Sequence, residues 1–86
     1  MMLSVEDIEG KWKGEVTTGL TARCKESWNI PLDELEDIMV VTYLNQRIAL
    51  NHMVREAERR LELELRDDTE LYDGQLNDAL ERAQNT

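Results

Sequence analysis

The chain contains no phenylalanine, one proline, one histidine and a single cysteine, and it sets only 10 lysines and arginines against 19 aspartates and glutamates in 86 residues. Each shortage excludes something. A lone cysteine, Cys24, cannot form an intramolecular disulfide, the usual staple of a small secreted domain, so a reducing compartment is the simpler home. A lone histidine, with Ser4 and Ser27 in poor contexts, leaves no nucleophile paired with an oriented base. Two tryptophans and two tyrosines give few platforms on which bases could stack. The deficit of cations leaves a net charge of −9, a field that repels phosphate backbones and anionic lipid and argues against direct nucleic-acid binding. No stretch approaches the ~18 uninterrupted apolar residues of a membrane helix. Residues Met1 to Asp7 are acidic and lack the basic flank and apolar run of a signal peptide, so the chain is expected to be cytoplasmic. The four glycines, Gly10, Gly14, Gly19 and Gly74, form no phosphate-binding pattern.

What is present is leucine and acid. Twelve leucines, with valine, isoleucine and methionine, suit a modest layer between helices. A chain of this length forms one domain, here residues 1–86, and buries a little over ~60% of its unfolded surface, which makes a deep catalytic cavity hard to build. The acidity is uneven. Residues 1–30 hold 5 acids against 4 bases, whereas residues 31–86 hold 14 against 6. Such a field speeds encounter with a basic protein.

The patterning predicts an all-α fold, a small bundle of four to five helices. Ser4 and Asp7 are placed to cap a short helix over Val5 to Glu9, ended by Gly10. Lys11 to Gly14 reads as a loop with Trp12 as its anchor, or as a short extended piece through Trp12 and Val16. A second helix runs from Thr17 or Thr18 to about Ser27, with Leu20 and Cys24 four residues apart and Trp28 at the next turn. Pro31 bends the chain, and Asp33-Glu34 resembles the acidic opening of the next helix. From Asp33 to Leu65 the residues Leu35, Ile38/Met39, Thr42, Gln46, Ala49/Leu50, Met53, Ala57, Leu61 and Leu65 recur at three- and four-residue steps. The stretch reads as one helix of about 30 residues or as two; two are favoured, with a break at Asn45-Gln46. The run Ile38 to Val41 with Tyr43-Leu44 is apolar nearly all round, which marks the most buried helix. Arg66 to Tyr72 is an acidic loop, and Asp73-Gly74 opens a last helix from about Gln75 to Ala83 with Leu76, Leu80 and Ala83 inward.

No enzyme emerges from the residue pattern, and no cofactor or metal is expected. His52 and Glu56 sit one turn apart, but two ligands without a third make a poor metal site, and the pair reads as a partly exposed His52 held by Glu56. Asp67 to Asp73 fails as an EF-hand loop because Leu71 stands where an oxygen ligand belongs. Acyl carrier proteins share the size, charge and helical form, yet neither Leu3-Ser4-Val5 nor Glu26-Ser27-Trp28 matches their Asp-Ser-Leu attachment motif.

Pro31-Leu32, Leu35, Asp37-Ile38, Gln46, Ala49-Leu50, Met53-Val54, Ala57, Leu61 and Tyr72-Asp73-Gly74-Gln75-Leu76 follow in an order and spacing that resemble a family of small immunity proteins from bacterial contact-dependent growth inhibition systems. The resemblance covers about residues 30–80. Met39, Ala49, Arg55 and Gln75 depart from it, standing where the family tends to have Arg, Gly, Pro and Asp. Most of the matching positions are apolar or punctuating, so they speak for a scaffold. Gln46, an amide on the core-facing stripe, is expected to find buried partners and tie neighbouring helices at the break.

The resemblance implies a protein that binds and neutralises a toxin domain, often a nuclease, delivered from a neighbouring cell. The acidic clustering nominates Glu34, Asp37, Asp67, Asp68, Glu70 and Asp73 as contact residues, with Tyr72 as an aromatic anchor. The alternative is a generic acidic adaptor or regulatory subunit that assembles with an unrelated basic protein.

Overall fold

The computed structural model describes residues 3–65, 69 and 74–85. Among them are five α-helices, α1 Val5–Glu9, α2 Gly19–Ser27, α3 Asp37–Gln46, α4 Leu50–Glu62 and α5 Gln75–Gln84, with a 3-10 turn at Leu32–Glu34 before α3. The described residues contain no strand, only an isolated antiparallel bridge between Ser4 and Pro31. The Cα radius of gyration is 12.2 Å, against roughly 12 Å for a compact chain of this length.

Local chemistry sets most boundaries. Ser4 accepts from the Asp7 N–H at 3.2 Å while the Asp7 carboxylate accepts from the Ser4 N–H at 2.9 Å, a reciprocal box that starts α1. Thr18 and Thr21 repeat it at the head of α2. Pro31 precedes the 3-10 turn, which turns Leu32 and Leu35 inward and leaves Asp33, Glu34 and Glu36 outside. Of the residues that mark α2, Cys24 is buried, Trp28 half-buried and Leu20 39% exposed.

The long periodic stretch is two helices, and the break falls one residue later than Asn45-Gln46. Arg47 adopts the left-handed conformation, φ 57 and ψ 38, and the N–H groups of Arg47 and Ile48 return to the carbonyls of Leu44 and Tyr43. That pattern is a Schellman cap, formed here without glycine. Ala49 is left-handed too, φ 50, so the reversal before α4 is tight. Gln46 is consequently a correction: it lies in the last turn of α3 with its side chain exposed, and it ties nothing in the core. The cap, rather than an amide, closes the helix.

A second correction concerns Leu65. Helix α4 stops at Glu62, because Glu64 at φ 58 lets its own N–H reach the Leu61 carbonyl and the Leu65 N–H reach the Arg60 carbonyl. Beyond this second glycine-free cap the helical phase is lost, and Leu63 and Leu65 are exposed.

Helix α3 is the centre. Met39, Val40, Val41, Tyr43 and Leu44 are buried, and α3 packs against both α4 and α5 while also meeting α2. Met53 and Ala57 of α4 and Leu76, Ala79, Leu80 and Ala83 of α5 complete the main layer, with Leu50 and Leu61 partly buried against it. No helix among the described residues is long and apolar enough to cross a membrane.

Candidate functional site

Thr69, flanked in the sequence by acids, is joined to the start of α3 by a hydrogen bond. The backbone N–H of Ile38 lies in the first turn of α3, where helical geometry leaves donors without partners. The Thr69 hydroxyl accepts from it at 3.0 Å. The side chain of Glu36, at the cap position, makes no capping bond, so Thr69 serves a need that the adjacent residues leave open. Sequence reasoning missed Thr69, since a threonine flanked by acids carries no sign of a contact 31 residues away.

Of the nominated contact residues, Glu34 is exposed on the rim of this turn. Asp67, Asp68, Glu70, Tyr72 and Asp73 lie outside the described residues. Asp37 does not belong with them. It is only 2% exposed, and its Oδ1 accepts from Arg60 Nη1 at 2.8 Å, so its charge is neutralised inside the protein and is withheld from any partner.

That pair opens a chain of charges running outward from the core. Arg60, 4% exposed, donates through Nη2 to the Leu32 carbonyl at 2.9 Å and through Nε to Glu56 Oε2 at 2.6 Å. Glu56 also takes Arg59 in a two-bond clamp, Nε to Oε1 at 3.1 Å and Nη2 to Oε2 at 2.7 Å. Burial pushes the Glu56 carboxyl upward, but the bonds and charges of Arg59 and Arg60 outweigh it and hold the group below its ordinary range. Glu56 in turn raises Arg59. The expected pairing of His52 with Glu56 is therefore replaced by two arginines. His52, half-buried, instead lines a cleft of about 240 Å3 beside α4 together with Leu32, Arg55, Glu56 and Arg59.

A second buried polar cluster joins α2 to α3. Tyr43 lies fully inside, its hydroxyl 2.6 Å from Ser27 Oγ and 3.0 Å from the Cys24 carbonyl, while Ser27 also reaches the Arg23 carbonyl at 3.0 Å. Two hydroxyl protons serve these contacts in either of two orders: Ser27 donates to Tyr43 and Tyr43 to Cys24, or Tyr43 donates to Ser27 and Ser27 to Arg23. Burial pushes the Tyr43 hydroxyl up to about 12, and burial also raises the Cys24 thiol. Both changes disfavour the ionised, reactive form. Above Tyr43 the indole of Trp28 is tilted with centroids 6.2 Å apart, and Trp12 meets Trp28 edge-on at 4.9 Å. Trp28 Nε1 donates to the Gly10 carbonyl at 2.7 Å, which fastens the loop after α1 to the end of α2.

Internal pairing sharpens the external charge. Asp37, Glu56 and Arg60 are withdrawn, and the described surface presents 13 exposed carboxylates against 7 exposed cations. Among the described residues no three His, Cys, Asp or Glu side chains gather into a metal-binding group. Comparison with family models, with curated proteins and with solved structures finds no match.

Proposed function

We propose that this protein is an immunity protein: it binds a cognate toxin domain, a nuclease by preference, in the cytoplasm of the producing bacterium and neutralises it without catalysis of its own. The observation that carries the reading is the acidic rim. Glu34 and its neighbours Asp33 and Glu36 project from the turn before α3, and Thr69, set within the second acidic stretch, is fastened to that same helix start. A nuclease presents a basic face to its phosphate substrate, and a rigid acidic surface complements it. Long-range attraction then raises the rate of encounter, which is the quantity that protection against a delivered toxin demands. The resemblance of residues 30–80 to immunity proteins of contact-dependent growth inhibition points the same way.

The test begins with the gene next door, which is expected to encode a very large exported protein. Its C-terminal domain is expected to copurify with this chain and to lose its toxic activity when the complex forms. A neighbour of another kind, with no inhibition of such a domain, rejects the proposal in favour of an acidic adaptor for an unrelated basic protein.

A further inference from the structure

Among the described residues, one face of α4 carries cations on the surface of this acidic molecule. His52, Arg55 and Arg59 follow at three- and four-residue steps and so share a face of α4, and all three line the cleft of about 240 Å3 that Leu32 and Glu56 complete. We propose that this cleft receives a carboxylate carried on an apolar stretch of a protein partner, with Arg55 and Arg59 as the two jaws. The inference rests on the reading above only in taking the partner to be a protein.

Three features favour that occupant. Glu56, the carboxylate nearest at hand, is fully engaged by Arg59 and Arg60 and its side chain is only 1% exposed, so it does not fill the place of a ligand. Its two bonds to Arg59 fix the plane of that guanidinium and occupy Nε and Nη2, which leaves Nη1 for a newcomer. Arg59 is in this way pre-oriented from the core outward, through Glu56 and Arg60 to Asp37 and the Leu32 carbonyl. Arg55, one turn earlier, is exposed, and its side chain makes no hydrogen bond or ion pair with a described residue.

The walls decide what carries the charge. Leu32 and the hydrocarbon stems of the arginines make them mostly carbon, and a charge-assisted bond formed over such walls is stronger than one in open water. Asp33 acts on Arg59 from farther off, but it is exposed and screened by solvent. A polyanionic phosphate backbone would meet the 13 exposed carboxylates on approach, whereas a single carboxylate beside an apolar group brings one charge to one place.

The experiment is an NMR titration of the full chain with 4-methylpentanoate, using the neutral 4-methylpentanamide as the control. Shift changes are expected at His52 and at the Arg55 and Arg59 side chains, saturating with a dissociation constant on the order of millimolar for so small a ligand. The amide is expected to bind at least ~10-fold more weakly, and Arg55→Gln to weaken the carboxylate about 5- to 10-fold while the rest of the spectrum stays as it was. Equal binding of the amide, an unaltered affinity in Arg55→Gln, or no shift at the three residues up to about 100 mM overturns the proposal. Because no toxin domain enters the titration, its failure and that of the copurification are told apart.

Discussion

The two ends of this chain are held by different physics. Among the described residues, 3–36 contribute four of the sixteen buried apolar side chains, Val5, Cys24, Leu32 and Leu35, while the other twelve come from α3, α5 and the stretch from Ala49 to Ala57. The N-terminal part is fastened mostly by directional bonds: the Leu32 N–H to the Leu3 carbonyl at 2.9 Å, the Glu6 N–H to the Trp28 carbonyl at 2.8 Å, and the indole bond to Gly10. The three later helices are fastened by burial. Area removed from water stabilises in proportion to its extent and does not depend on direction, so the later helices are expected to form the stable unit on which the earlier part is pinned. The difference teaches where a substitution is felt: in the helical layer through lost volume, in the N-terminal part through a lost bond.

Arg60 joins the two regions, which makes it the sharpest place to break the comparison. Its guanidinium spans α3 through Asp37, α4 through Glu56 and the N-terminal part through the Leu32 carbonyl. Arg60→Met fills most of the volume but takes the arginine from buried Asp37 and leaves Glu56 held by Arg59 alone. Removing one member of a buried ion pair typically costs about 3 to 5 kcal/mol, and a loss of that size is expected in urea unfolding. A loss below about 1 kcal/mol would mean that water reaches Asp37 and Glu56 and that the charge chain is not a buried one.

The next contrast is between two leucines. Leu76, wholly inside α5's packing face, is expected to cost about 2 to 5 kcal/mol on truncation to alanine. Leu20 in α2 is 39% exposed, and its truncation is expected to change stability by about 0.5 kcal/mol or less. Equal losses at the two positions would erase the distinction between the regions.

These contrasts also mark what the residue pattern discloses and what it hides. The inward set of α5, Leu76, Leu80 and Ala83, follows from period, and the central place of α3 follows from a run that is apolar nearly all round, with Val40, Val41 and Leu44 inside. The buried face of α4 is different. Met53, Glu56, Ala57 and Arg60 fall on it together, and a pattern search that counts only apolar residues passes over two of the four. Glu56 and Arg60 sit inside because a carboxylate on α3, 23 residues distant from Arg60, completes their neutralisation, and no local spacing reveals a partner so far away. The burial of Asp37 is hidden from the sequence for the same reason. Acidic runs before a helix are usually solvated, and only the arginine opposite it makes this one an interior group. Thr69 and the Arg55–Arg59 cleft are likewise products of tertiary placement. Glu34, by contrast, needed nothing beyond its position after Pro31-Leu32 to be set outside.

The smallest expected effect concerns how helices end. In the N-terminal part the positive-φ positions, Gly10 at φ 91 and Gly14 at φ 106, are glycines, whereas α3 and α4 end on Arg47 and Glu64 at φ 57 and φ 58. An L-residue with a Cβ pays about 1 to 2 kcal/mol in the left-handed region relative to a relaxed conformation. The packed layer tolerates this because its burial far exceeds it. Glu64 offers the cleaner test, since its side chain is exposed and makes no bond to a described residue. Glu64→Gly removes the strained Cβ and also a negative charge from the C-terminal end of α4, where the helix dipole disfavours it. Against these gains stands the greater freedom of glycine in the unfolded chain, about 0.4 to 1 kcal/mol. The balance is a stabilisation of about 0.5 kcal/mol, or a rise in Tm of roughly 2 to 4 °C for a domain of this size. A fall in Tm would show that Glu64 contributes a tertiary contact larger than its strain, and that the ends of the two regions are not built by different rules after all.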